Sequence, residues 1–331
     1  MLDTVFYLIL NMSVASCFVI ATLLLIRQIK PLPRRVVYPL WGLAFFRLVM
    51  PFTLPTSWSL FNYTGGLVKR LITVETVTMG TIPVQELYNP NTVNSIPVQE
   101  SYELYTMNFF GAAQQYAPIE YRTESLRQIF TLSSVIWAIV ATAMLLTAFT
   151  LYMLTRKELK TAIRIKDNLY SSDMLLSPVL AGLFRPKIIL PATLDPDSDE
   201  CRMILAHENI HKRRLDNLWR LLGICIICLH WFNPLAWILL KAFFTDMEQS
   251  CDEAVIRKYS TDERKQYATT LLRYAEDKRL LVSTAFGSSG VKVRIVNILN
   301  YKKLTIIGAV ISALFLLVIA IALITNPQLG A

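Results

Sequence analysis

In "LAHENIHKRRLDN", residues 205–217, His207 and His211 stand four positions apart, and Glu208 directly follows the first. Together His207-Glu208-Asn209-Ile210-His211 fits the H-E-x-x-H pattern. Residues four apart share one face of an α-helix, so both imidazoles can reach a single Zn²⁺. Such a site makes water a nucleophile near neutral pH, and an adjacent carboxylate takes the proton as a peptide carbonyl is attacked. Glu208 can play that part without occupying a ligand position. The plain alternative is two polar residues that share a helix face, and a third donor is needed to decide.

A hydrolytic zinc site has three protein ligands and a water. "DMEQSCDEA", residues 246–254, offers Glu248 with Asp252 one turn later. In this E-x-x-x-D arrangement the glutamate binds the metal and the aspartate supports a ligand histidine from behind. Asp246 and Glu253 are competing carboxylates. A solvated acidic face would carry fewer apolar residues than "FFTDMEQSCDEAV" does.

These residues need elements to hold them. Asp197 with Glu200 resembles a capping box, and "CRMILAHENI" continues at helical spacing. Upstream, "RPKIILP", residues 185–191, reads as a short edge strand fenced by prolines. Lys187, Ile188, Ile189 and Leu190 are then expected to hold a substrate backbone along that edge. Tyr259, Tyr267 and Arg257 are undifferentiated candidates for stabilising an oxyanion.

The two halves of the site are separated by residues 221–240, "LLGICIICLHWFNPLAWILL", which are long enough to cross a bilayer. A single crossing would put the histidines and Glu248 on opposite faces of the membrane. Asn233-Pro234 favours a turn and breaks a continuous helix. The segment is therefore expected to double back, as a re-entrant hairpin or as two short helices at the membrane surface. His230, at that turn, reads as a packing or interfacial residue.

The surroundings are those of a membrane protein, with 54% hydrophobic and only 17% charged residues among 331. Spans are expected at about 5–26, 36–53, 132–154 and 304–325. The basic loop "RQIKPLPRR" places residues 27–35 inside and the amino terminus outside. This divides the chain into two spans (1–53), an extracellular loop (54–131), a third span (132–154) and a cytoplasmic domain (155–303). The membrane-associated segment within that domain is 221–244, and a fourth span (304–325) with an outside tail (326–331) follows. Arg47, inside the second span, is read as structural. The outside loop repeats "IPVQE" at 82–86 and 96–100. The net charge of +9 clusters beside apolar segments without a nucleic-acid reading motif, so direct nucleic-acid binding is not expected. The five cysteines form no disulfide framework.

In order, "FFRLVMP", "SPVLAGLFRPKIILP", "ILAHENIHKRRLDNLWRLL", "HWFNPLAW", "DMEQSCDEAV" and "TAFGSSGVKVRIVNIL" resemble the membrane zinc metallopeptidases of the BlaR/MecR beta-lactam sensor-transducer type. The resemblance implies a mainly α-helical membrane protein with four transmembrane helices and a cytoplasmic α+β gluzincin-like peptidase domain. It implies His207, His211 and Glu248 as zinc ligands and Glu208 as general base. The expected partners are the bilayer, a cytoplasmic protein substrate such as a transcriptional repressor, and a second copy of the chain. The family also cleaves itself before the last span, which maps to "LVSTAFGSSG" and a cut at Ala285-Phe286. Full-length sensors continue into an extracellular penicillin-binding domain. The outside parts here hold no Ser-x-x-Lys motif, so beta-lactam recognition is not expected from them. The alternatives are a membrane quality-control peptidase and a non-catalytic receptor or scaffold on the same fold.

Overall fold

The computed structural model describes residues 2–29, 32–50, 54–55, 124–275 and 290–301, with 308, 312, 314–315, 317–319 and 325–326. The repeated "IPVQE" segments, most of the 304–325 span and Ala285-Phe286 lie outside the described residues.

Helix α1 (Leu2–Arg27) opens with Asp3 and closes with Arg27, charges that complement the helix dipole. It is followed by α2 (Arg34–Val37), a 3₁₀ turn (Tyr38–Leu40) containing Pro39, and α3 (Trp41–Val49). The long helix α4 (Glu124–Glu158) comes next among the described helices. Two helical stretches, Leu2–Arg27 and Gln128–Thr161, are long and apolar enough to cross a membrane by length and composition. Of the second expected span, 36–53, the described residues form the end of α2, the 3₁₀ turn and α3 up to Val49, and 51–53 lie outside the described residues.

Four strands form one sheet: β1 (Ile163–Lys166), β2 (Leu169–Ser172), β3 (Val179–Ala181) and β4 (Lys187–Pro191), in the order β1-β2-β4-β3. β2 and β4 run parallel and the other neighbours antiparallel. Asp167, at φ +43°, makes the tight turn between β1 and β2, a conformation that aspartate tolerates better than most residues.

The sheet corrects the expectation for 185–191. Lys187–Pro191 is an interior strand, paired on both sides, and β3 occupies the edge instead. Ile188, Ile189 and Leu190 are buried in succession. A continuous apolar run is how a strand covered on both faces reads. The flanking prolines mark only its ends. Ile188 and Leu190 pack with Leu194, Cys201 and Ile204.

Helix α5 (Asp199–Arg214) is capped by Ser198, whose Oγ accepts from the Cys201 N–H at 3.1 Å. The cap is thus one residue later than the Asp197 expected. Leu215, in the left-handed region at φ 55°, ends α5 and immediately begins α6 (Asp216–Leu229). After residues 230–233 the chain returns along α7 (Pro234–Ile256), with Asn233 accepting from the Leu235 N–H at 2.9 Å. The doubling back is close. A Cβ on Gly223 would sit 3.0 Å from Leu240 Cδ1 and 3.3 Å from Phe45 Cζ.

The turn is pinned by polar contacts, which hold apolar helices together where hydrophobicity alone gives little. His230 Nε2 donates to the Leu48 carbonyl at 3.0 Å, Asn233 Nδ2 donates to Ser13 Oγ at 2.8 Å, and Trp137 Nε1 donates to the Leu229 carbonyl at 2.8 Å. His230 is therefore a packing residue, as expected. Residues from α1, α3, α6 and α7, among them Ile20, Leu23, Trp41, Phe45, Ile227 and Leu239, share one buried cluster. Arg47 is buried.

Two more helices close the site. Helix α8 (Thr261–Ala275) starts with a reciprocal cap, in which the Ser260 N–H donates to Glu263 Oε2 at 2.7 Å and the Glu263 N–H to Ser260 Oγ at 3.3 Å. Helix α9 (Val291–Leu299) lies against α7 and α8.

Candidate metal centre

His207 and His211 lie on the buried face of α5, packed against α7 and α8. Their Nε2 atoms are 3.0 Å apart. Glu248, on α7, turns a carboxylate oxygen to each: Oε2 is 3.6 Å from His207 Nε2 and Oε1 is 3.7 Å from His211 Nε2. The α6–α7 hairpin therefore brings together what 40 residues of sequence separate.

The other ring nitrogens are held from behind. His211 Nδ1 is 2.6 Å from Asp216 Oδ2. Asp216 is fully buried, and its Oδ1 accepts from Tyr38 Oη at 3.1 Å and Arg214 Nε at 3.2 Å. The single-residue break at Leu215 is what brings Asp216 back onto His211. On the other side, His207 Nδ1 is 2.8 Å from Tyr267 Oη, and that hydroxyl donates to Asp252 Oδ1 at 2.8 Å. Asp252 Oδ1 is itself 3.4 Å from His207 Nδ1. The aspartate supports the imidazole mainly through Tyr267. Tyr267 thus stands behind His207 as an orienting residue, and Tyr259 packs on its ring.

Arg294, from α9, completes the arrangement. It donates to both oxygens of Asp252 at 2.7 and 2.8 Å and lies 3.1 Å from Glu248 Oε2. Arg220 donates to Glu248 Oε1. Asp216, Arg294 and Arg220 are the residues that reading the sequence for chemistry missed. Arg294 left a trace, as one of two cations, with Lys292, inside the mainly apolar run "VKVRIVNIL".

Burial works against charge on either imidazole, yet both are held well above the ordinary value. Cys251, Tyr267 and Asp252 do this at His207, and Cys251, Glu248 and Asp216 at His211. Burial would raise the Asp252 carboxyl, but the Arg294 guanidinium outweighs it and holds the group down at about 2. Burial also pushes Tyr267 well above the ordinary phenol value, with Asp252 adding to it, so the phenol keeps its proton and donates. The pocket around the two Nε2 atoms favours positive charge.

The donor set fits a metal ion. Separations of 3.0, 3.6 and 3.7 Å lie around the edge length, about 3.3 Å, of a tetrahedron with metal–ligand bonds of roughly 2.0–2.1 Å. Each Nδ1 already has an oxygen partner, which leaves each Nε2 to coordinate. Cys251 is also close: with His207 and His211 it forms a second possible ligand trio. Its Sγ, however, donates to the His207 carbonyl at 3.3 Å, while the Glu248 oxygens face the imidazoles.

A cleft of about 1450 Å³ opens over these groups. Glu208 lines it beside His207, His211 and Glu248, as do Val179, Leu180 and Ala181 of the edge strand and Lys187 and Ile189 of its neighbour. Tyr259 and Arg257 are not among its lining residues.

Two imidazoles, a carboxylate and a free glutamate at a cleft edged by a β-strand are the parts of a peptidase-type metal site. Residues 7–298 match the BlaR1 peptidase M56 family, and the chain belongs to that family. It is similar to the regulatory protein BlaR1 of Bacillus licheniformis, 34% identical over 167 residues, which is 48% of this chain and 28% of that protein. It is also similar to the methicillin resistance mecR1 protein of Staphylococcus aureus and that of Staphylococcus epidermidis, each 27% identical over 106 residues. Those two matches take in 31% of this chain and 18% of each relative. The matched regions thus span less than a third of each relative's length.

Proposed function

We propose that the chain is an integral-membrane zinc endopeptidase that turns an outside signal into cytoplasmic proteolysis of a repressor, of itself, or of both. The observation that carries this reading is the convergence of His207, His211 and Glu248 on one point with Glu208 at the same cleft. Family membership and a relative named as a regulatory protein favour signalling over general quality control.

His207 Nε2, His211 Nε2 and Glu248 would hold the zinc in a gluzincin-like arrangement. Cys251 Sγ is engaged by the His207 carbonyl rather than by the metal. When bound, zinc supplies a Lewis acid and eases deprotonation of water. Glu208 takes the proton of the attacking water and delivers it to the leaving nitrogen. Substrate backbone pairs with the free side of β3, which replaces Lys187–Leu190 in that role. Asn217 Nδ2 fixes this strand to α6 by donating to the Leu180 carbonyl at 2.7 Å and the Gly182 carbonyl at 3.0 Å.

The proposed topology has four spans, the amino terminus outside and residues 155–303 in the cytoplasm. It rests on the basic 27–35 loop and on the two long apolar helices. The purified chain in detergent should cleave an unstructured protein such as casein, lose that activity to a zinc chelator and regain it with added zinc. Cleavage indifferent to chelation would remove the metal from the mechanism.

A further inference from the structure

The segment linking the first apolar helix to α3 grips the supports of both halves of the metal centre. On α7, two residues before Glu248, Asp246 accepts from Arg27 Nε at 2.9 and 3.1 Å and from Trp41 Nε1 at 2.9 Å. Glu253 accepts from the Arg34 and Arg35 backbone N–H groups at 2.8 and 3.0 Å. These are the two carboxylates that competed with Glu248 in the sequence. Their work is to fasten the ligand-bearing helix to the end of α1, the start of α2 and the start of α3.

The third grip reaches a histidine. Tyr38 Oη donates to Asp216 Oδ1 at 3.1 Å, and Asp216 Oδ2 holds His211 Nδ1 at 2.6 Å. Tyr38 is itself fixed by two ring contacts. Its ring stacks on Phe243 at 5.5 Å and 15°, and the Arg214 guanidinium lies 4.1 Å from its centroid. We propose that Tyr38 is a positioning residue for the metal centre, which sets the His211 ring through Asp216 and so lets a displacement of residues 27–41 reach the metal. This rests on the zinc reading above. The chemistry is simple: a buried carboxylate that loses one donor reorients or draws more strongly on the others, and the imidazole it holds follows.

Tyr38→Phe removes the hydroxyl and keeps the stacked ring. Zinc affinity of the full chain in detergent, read by competition with a chromogenic chelator, should weaken about threefold to tenfold. Asp216→Asn should weaken it about 10–100-fold. Adding Tyr38→Phe to Asp216→Asn should cost nothing further, because the two act in series. The unfolding midpoint of chelator-treated protein should be the same for Tyr38→Phe as for the wild type. Because the ring packing is kept, the single variant reports on the hydroxyl even where Asp216→Asn fails to fold. Wild-type zinc affinity in Tyr38→Phe, or an equal loss in the Asp216→Asn background, overturns the inference alone. A wild-type chain that takes up no zinc overturns the proposed function with it.

Discussion

Glu208→Gln is expected to leave zinc content at the wild-type level and to cut peptide cleavage by about a hundredfold to ten-thousandfold. The two readouts separate because of where the residue sits. Glu208 follows His207 on α5 and lines the cleft, while the imidazoles and Glu248 converge beside it. Glutamine keeps the size and polarity of the side chain but cannot take a proton. Loss of zinc in this variant would make Glu208 a ligand, and retained cleavage would place the general base elsewhere.

Arg294→Met is expected to destabilise the chain by about 3–5 kcal/mol, the cost of stranding a buried carboxylate without its partner. Arg294 is 7% exposed and Asp252 is 2% exposed, with two hydrogen bonds between them. The arginine also neutralises Glu248. Its removal therefore takes one cation from Glu248, the proposed ligand, and the paired cation from Asp252 behind His207. The Asp252 carboxyl is held at about 2 against an ordinary 3.8. A depressed carboxylate stabilises the fold above its unfolded value and loses that contribution as pH falls through the folded one. The wild-type midpoint should thus fall between about pH 4 and pH 2, and Arg294→Met should lose much of that dependence. Adding Asp252→Asn should recover part of the stability, since it removes the stranded charge. An Arg294→Met midpoint equal to that of the wild type in detergent would mean that the pair contributes nothing to the fold.

Much of the site was legible because its chemistry depends on spacing within single helices. His207, Glu208 and His211 lie on α5 and Glu248 and Asp252 on α7, so helical periodicity alone predicts each set. Their meeting was legible through Asn233-Pro234, which caps and begins the second helix of the hairpin, four residues after the first ends at Leu229. The residues that escaped act across elements. Asp216 depends on a left-handed Leu215, a conformation that leucine does not announce. Arg294 and Arg220 reach the site from α9 and α6, where no local pattern points to Asp252 or Glu248, and Tyr267, read only as an oxyanion candidate, stands behind His207 from α8 instead. The strand error has the same origin. Prolines at 186 and 191 look like an edge, but strand order is a long-range property, and the run Ile188-Ile189-Leu190 was the better guide.

The central claim is that one zinc ion binds the two histidines of α5 and the Glu248 carboxylate. X-ray absorption at the zinc edge of the purified Glu208→Gln chain tests it most directly, because oxygen and sulfur ligands differ in bond length. Zinc held by His207, His211 and Glu248 should show only nitrogen and oxygen neighbours at roughly 2.0–2.1 Å, whereas a sulfur neighbour at about 2.3 Å would put Cys251 in its place and contradict the assignment.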